Sequence, residues 1–267
     1  MKTLALDTAT SALTLALFDD QQMVAQTCLT SGYQHGQIMV PAIKQLIELV
    51  GWDRQDVQEL IVGIGPGSYT GLRIGTSLAK TWAATRKIRL VSVSSLALMA
   101  AQALQGVIDE SWCRETLIIP VIDARRHTAY TAAYLPYIDE DGLQLRQIKP
   151  DQHLAWSDWL SQLESAFQDD SLNRVVFVGQ EIQEFVDDFE DHFTDLDLTL
   201  SCLDGERGLP QAAYVNQVPQ TLVEQADLLV PNYCHATLAE QEWAAKEGRS
   251  INHESSDMEG YIERTIQ

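Results

Sequence analysis

The order in which strands and helices follow one another repeats along this chain, and that repeat limits the possible folds more than composition does. Alternating or β-rich apolar segments at Lys2–Asp7, Ala12–Phe18 and Met23–Leu29 lie a few residues apart, as in a three-stranded antiparallel start. The pattern then predicts a helix over Gly36–Val50, a strand at Leu60–Ile64, a helix at Leu72–Arg86 and a strand at Leu90–Val93. A helix at Leu96–Leu104 follows, with Ser94 and Ser95 as cap candidates. After a polar break at Gln105–Arg114 the series begins again. Strands are expected near Leu117–Asp123, Thr128–Ile138 and Leu143–Ile148, then a helix near Leu154–Phe167, a strand at Val175–Val178, a helix at Glu181–His192 and a strand at Leu196–Cys202. Each half opens on a strand ending in aspartate, Asp7 and Asp123, as a duplicated α/β fold requires. The expected lobes are 1–107, completed by 220–248, and 108–219, with a polar tail over 249–267. Two more helices are expected at Gln220–Leu229 and Ala236–Glu247.

Bulk properties narrow the function. At 267 residues and 45% hydrophobic, the chain can bury a core in one unit or in two small lobes. A formal net charge of −20 repels nucleic acid, so direct nucleic-acid binding by this chain alone is not expected. No apolar run approaches bilayer length and the first residues reach a charge too early for a signal peptide, so a cytoplasmic protein away from membranes is expected. Cys28, Cys113, Cys202 and Cys234 form no C-x-x-C pair, the histidines no H-x-x-x-H pair, and no G-x-S-x-G elbow occurs. Neither a metal site nor a serine nucleophile is therefore expected.

Three motifs carry the chemistry. In Leu6-Asp7-Thr8-Ala9-Thr10-Ser11, hydroxyls and amides in a strand-to-strand turn can hold a phosphate, with Asp7 holding a cation or water; equally, the turn can satisfy only its own backbone. The loop Gly63-Ile64-Gly65-Pro66-Gly67-Ser68-Tyr69-Thr70-Gly71-Leu72-Arg73-Ile74-Gly75 follows a strand and opens a helix, where amides and dipole can receive an anion. It matches neither the Walker nor the dinucleotide spacing, and a tight turn needing positive φ at Gly65 or Gly67, with Thr70 as cap, explains it as well. In Asp123-Ala124-Arg125-Arg126-His127, the arginines suit a carboxylate, a phosphate, a subunit interface or a solvated turn.

The second loop leads into a helix with an unusual face. Gly71, Gly75, Ala79 and Ala83 recur every four residues beside a ridge of Ile74, Leu78 and Trp82, so one face covers the sheet and the other is left over. The preceding helix has a similar surplus, with Ile38, Val40 and Leu49 apolar away from the Met39, Ile43, Leu46 and Val50 face.

The start L-x-L-D-T-A-T-S, the loop G-P-G-S-Y-T-G-L-R-I-G and the segment D-A-R-R-x-x-x-Y, in this order, resemble the TsaB (YeaZ) family over about residues 1–250. The resemblance implies a duplicated actin/Hsp70-like fold (ASKHA, ribonuclease H-like), each lobe holding a mixed five-stranded sheet. It implies a non-catalytic subunit that pairs with the catalytic homologue TsaD and works with the ATPase TsaE, reaching tRNA only through the complex. Their product is threonylcarbamoyl on the adenosine beside the anticodon of tRNAs that read codons starting with A. On this view Asp7, Thr8, Thr10, Gly65, Gly67 and Asp123 line a vestigial nucleotide cleft, with ATP or ADP acting at the level of the complex. The partner interface would use Met39, Ile43, Leu46, Gly71, Gly75, Leu78, Ala79, Trp82 and Ala83, and could also support a homodimer. An ATP-dependent kinase or acyl-transferring enzyme of the same fold is the alternative. The chain departs from the family at Pro231-Asn232-Tyr233-Cys234-His235, where the arginine of P-x-Y-L-R is missing.

Overall fold

Strand β1 (Lys2–Asp7) shows how the layers arise, because its alternate side chains enter different cores. Leu4 and Leu6 face an outer layer, whereas the small Ala5 faces inward. In the computed structural model, which describes residues 1–30, 32, 34–106, 110–140, 142–168 and 171–234, residues 1–232 make one compact unit.

In the first lobe, β1 is followed by β2 (Leu13–Asp19), β3 (Gln22–Leu29), α1 (His35–Leu49), β4 (Glu59–Gly63), α2 (Tyr69–Arg86) and β5 (Arg89–Val93). Helix α3 (Ser95–Ala100) runs on as a 3-10 turn over Ala101–Gly106. A short helix α4 (Glu110–Glu115) precedes the second lobe, which contains β6 (Thr116–Asp123), β7 (Thr128–Asp139), β8 (Gly142–Ala155), α5 (Trp156–Leu163), β9 (Arg174–Val178), α6 (Gln183–His192) and β10 (Thr199–Leu203). Last comes β11 (Gln220–Leu222).

The sheets run β11-β5-β4-β1-β2-β3 and β10-β9-β6-β7-β8. In each, the first strand pairs antiparallel with the second, the second antiparallel with the third, and the first parallel with the fourth, which is parallel to the fifth. Thus β1 corresponds to β6, α1 to α5 and α2 to α6. The duplication is present in full, in the actin/Hsp70-like arrangement that the resemblance implies. One expected count changes: the first sheet has six strands, because β11 pairs antiparallel with β5.

Three cores hold the layers together. Helices α1 and α2 cover the outer face of the first sheet around Leu4, Leu6, Met39, Ile43, Leu60 and Ala79. Helices α5 and α6 cover the second sheet around Trp156, Trp159, Phe177, Phe185 and Phe189. Between the sheets, α3 and the 3-10 turns Ala101–Gly106 and Ala212–Gln217 pack with Ala5, Ala16, Ile118, Tyr134 and Val176. At about 25 cal/mol per Å2 of apolar surface removed from water, these interiors dominate stability.

The helix expected at Gln220–Leu229 is not formed. Its first three residues complete the ladder of β5 instead, and only a 3-10 turn at Ala226–Leu228 remains. The edge of β5 offers unpaired backbone groups, and pairing with them satisfies the backbone of Gln220–Leu222 as a strand. The helix expected at 236–247 and the tail at 249–267 lie outside the described residues.

Candidate functional site

The first two motifs are brought together at the carboxyl end of β1, and the chain itself fills the space between them. The carboxylate of Asp7 accepts the amide of Ala9 at 2.8 Å and the hydroxyl of Ser95 at 2.5 Å. Ser95 Oγ in turn accepts the amide of Gly65 at 3.0 Å, so one side chain ties β1, α3 and the glycine loop together. Burial pushes the Asp7 carboxyl above its ordinary value, an effect opposed by the hydrogen bonds from Ser95 and Ala9. Thr8 is fully buried and its hydroxyl donates to the carbonyl of Gly71 at 2.8 Å. The amide of Ser68 donates to the carbonyl of Ala9 at 2.6 Å.

These contacts bring Asp7, Thr8, Gly65 and Gly67 of the expected vestigial cleft together, with Asp7, Thr8 and Gly65 buried. Asp7 and Thr8 are sealed from solvent, and the amides of Ala9, Ala12, Gly65 and Ser68 donate to oxygens of the chain itself. Gly65 does need its residue type: φ is +106°, and a Cβ there would meet the carbonyl oxygen of Asn232 at 2.7 Å. The half-buried Thr10 accepts the Ala12 amide at 3.3 Å, while its carbonyl lies 2.9 Å from His35 Nε2. The helix cap is Ser68 rather than Thr70; its hydroxyl accepts the amide of Gly71 at 3.3 Å.

Asp123 repeats the turn of Asp7 in the second lobe. Its carboxylate accepts the amide two residues on, Arg125, at 2.7 Å, as Asp7 does with Ala9. Here, however, the aspartate is exposed, and no hydroxyl corresponding to Ser95 donates to it among the described residues. Arg125, Arg126 and His127 all adopt positive φ, and the turn is held by His127, which lies 2.5 Å from Asp188 and stacks on Phe185. Among the described residues, no three His, Cys, Asp or Glu side chains converge as a metal site needs.

The interface residues divide into two sets. Met39, Ile43, Leu46, Gly71, Gly75, Ala79 and Ala83 are buried in the first lobe's own structure, which corrects their assignment to a partner surface. The small-residue stripe exists because α2 lies almost against β1: a Cβ on Gly75 would sit 2.4 Å from Thr8 Oγ1, and one on Gly71 would sit 2.1 Å from the Thr8 carbonyl oxygen. Leu78 and Trp82 stay half-buried on the flank. The apolar surplus lies beyond them, with Val40 60%, Leu49 74% and Tyr69 48% exposed. A shallow hollow of about 530 Å3 runs along the outer side of α2, lined by Tyr69, Thr70, Arg73, Ile74 and Ser77.

Sequence reasoning missed Ser95 as the partner of Asp7, and it missed a half-buried carboxylate in the second lobe. Asp151 on β8 receives Tyr134 Oη at 3.2 Å, Gln147 Nε2 at 2.9 Å and Asn232 Nδ2 at 3.4 Å. Burial raises its pKa, against hydrogen bonds from Ser94 and these three groups. Nothing in the local sequence marks it, since its partners lie 17, 4 and 81 residues away.

Comparison with known proteins places this geometry. The family model for TsaD, tRNA N6-adenosine threonylcarbamoyltransferase, matches residues 30–243. The tRNA threonylcarbamoyladenosine biosynthesis protein TsaB of Bacillus subtilis is 32% identical over 252 residues, 91% of this chain and 98% of that protein. Its namesake in Escherichia coli is 34% identical over 145 residues, covering 54% of this chain and 58% of the relative. In fold, the chain is similar to YeaZ from Pseudomonas aeruginosa, with a TM-score of 0.61 at 19% identity over 87% of this chain and 99% of that one. A crystal structure of an uncharacterized protein with similarity to peptidase YEAZ gives a TM-score of 0.65 at 20% identity, over 88% and 99% of the two chains.

Proposed function

This chain belongs to the TsaB (YeaZ) family, and from that premise we propose that it is a non-catalytic subunit of the machinery that places threonylcarbamoyl on tRNA. It acts by pairing with a TsaD-like catalytic subunit. Threonylcarbamoyl then passes to the adenosine beside the anticodon of tRNAs that read codons starting with A. A TsaE-like ATPase completes the assembly, nucleotide acts within the complex, and tRNA is reached through it. The setting is the cytoplasm, where these substrates are found; no helix among the described residues is long and apolar enough to cross a membrane.

The observation that carries this reading is the way the Asp7 turn is filled. A chain that catalysed phosphoryl or acyl transfer at the end of β1 would need solvent-facing groups there to meet its substrate, since catalysis rests on contacts made to the reacting atoms. Here those groups are engaged in holding the fold. The apolar outer faces of α1 and α2 then supply what a scaffold needs, because lasting interfaces are more apolar at their centre than ordinary surface. The coverage of this face by a second copy in the partner's absence is the homodimer counterpart of the same contact.

Reconstitution tests the reading. TsaD-like and TsaE-like proteins of the same host, threonylcarbamoyl-adenylate, ATP and tRNA are combined with and without this chain, and modified adenosine is measured in the digested tRNA. Product is expected only when the chain is present, and none from the chain alone. Full product in its absence would refute the assignment.

A further inference from the structure

Helix α2 carries Arg73, Lys80 and Arg86 and no acidic residue, within a chain of 38 acids and 18 bases. Elsewhere in the first lobe, three of the five cations sit against carboxylates: Lys2 with Asp56 at 3.2 Å, Lys44 with Glu48 at 3.7 Å and Arg89 with Glu59 at 2.9 Å. Among the described residues, Arg73 and Lys80 pair with no carboxylate. Arg73 is nonetheless held in place. Its guanidinium donates to Tyr69 Oη at 2.9 Å and lies 5.4 Å from the centre of that ring, at the edge of the hollow lined by Ile74 and Ser77. A cation fixed on an aromatic face beside an apolar hollow has already lost much of the side-chain entropy that binding would cost.

Resting on the scaffold reading above, we propose that the partner face covering α2 is apolar at its centre and presents a carboxylate to Arg73, with further acidic side chains toward Lys80. The guanidinium fork suits a carboxylate in bidentate geometry, and an apolar partner side chain fills the hollow beside it. Charge also sets orientation. Residues 1–107 hold 7 acids and 8 bases, whereas residues 108–219 hold 22 acids and 7 bases, so an acidic-rimmed partner is drawn to the first lobe and turned away from the second. A protein fits better than RNA: three cations interleaved with Tyr69, Ile74, Leu78 and Trp82 are few against a polyanion facing a net charge of −20.

The test measures binding of the full chain to the TsaD-like protein by calorimetry at low and high salt, with Arg73→Glu and Lys80→Glu checked for unchanged thermal unfolding. Association is expected to weaken about tenfold or more in Arg73→Glu, less in Lys80→Glu, and to weaken with salt in the wild type. Wild-type binding that ignores both salt and Arg73→Glu overturns the acidic-partner proposal while leaving the scaffold reading intact. No binding at any salt overturns both. A parallel titration with tRNA covers the remaining case: salt-sensitive tRNA binding by the isolated chain, lost in Arg73→Glu while the protein partner binds normally, assigns the cations to RNA and refutes the proposal.

Discussion

Helices α2 and α6 occupy equivalent positions on the two sheets, yet they are built the opposite way round. Helix α2 turns Gly71, Gly75, Ala79 and Ala83 toward its sheet and leaves Tyr69, Ile74, Leu78 and Trp82 outside or on the flank. Helix α6 turns Phe185, Val186 and Phe189 inward, where Phe189 meets Phe177 and Phe193 at ring distances of 5.1 and 4.6 Å, and presents Glu184, Asp187, Glu190 and Asp191 to solvent. Large side chains inside complete a lobe by itself; small ones inside bring the helix close and displace the apolar bulk to the surface. One topology thus yields a self-contained acidic lobe and a lobe with an apolar, cation-bearing outer face. The same inversion holds at the strand ends, with Asp7 buried under Ser95 and Asp123 exposed.

The comparison is broken most severely by reversing the packing in either lobe. Phe189→Ala should lower stability by roughly 3–5 kcal/mol, the usual cost of emptying an aromatic core site, measured by denaturant unfolding. Gly75→Leu should cost about 3 kcal/mol, because α2 must retreat from Thr8 to admit the side chain. A neutral result there would mean that α2 does not lie against β1. Ser95→Ala should cost about 1–3 kcal/mol by leaving the buried Asp7 carboxylate short of a donor, and it should speed amide exchange at Gly65.

A smaller effect comes from pH. Asp7 and Asp151 are both raised above 3.8 by burial, so the folded state keeps protons that the unfolded state has already released. Their contribution to stability is therefore greatest at low pH and declines as pH rises from about 3.8 through the folded-state values. Asp151→Asn should remove its share of that slope; an unchanged profile would show that Asp151 does not titrate in this window. Smallest of all, Asp187→Lys on the exposed face of α6 should shift stability by no more than about 0.5 kcal/mol.

Much of this contrast can be read in the sequence, and its limits are physical. The duplicated order of elements follows from hydrophobic period and from the two strand-ending aspartates, because each strand or helix must bury its own face. The four-residue spacing from Gly71 to Ala83 also announces a close approach, but spacing alone does not say to what. Only the fold shows that β1 and Thr8 lie beneath it. The same limit applies to Asp7, whose donor Ser95 lies 88 residues away, and to Gln220–Leu222, where an unpaired edge outweighs a weak helical pattern. Local chemistry is legible, whereas the assignment of each face to core, cleft or partner depends on long-range contacts.

The central claim is that the first lobe alone offers a partner face. Light scattering of the chain mixed with the TsaD-like protein tests it directly, using a Val40→Asp and Leu49→Asp double variant on α1 against an Asp187→Lys and Asp191→Lys double variant on α6. Both pairs lie on exposed positions and should leave folding intact. The account predicts that the α1 variant fails to form the heteromer while the α6 variant forms it as the wild type does. A heteromer that survives in the α1 variant and is lost in the α6 variant would contradict it.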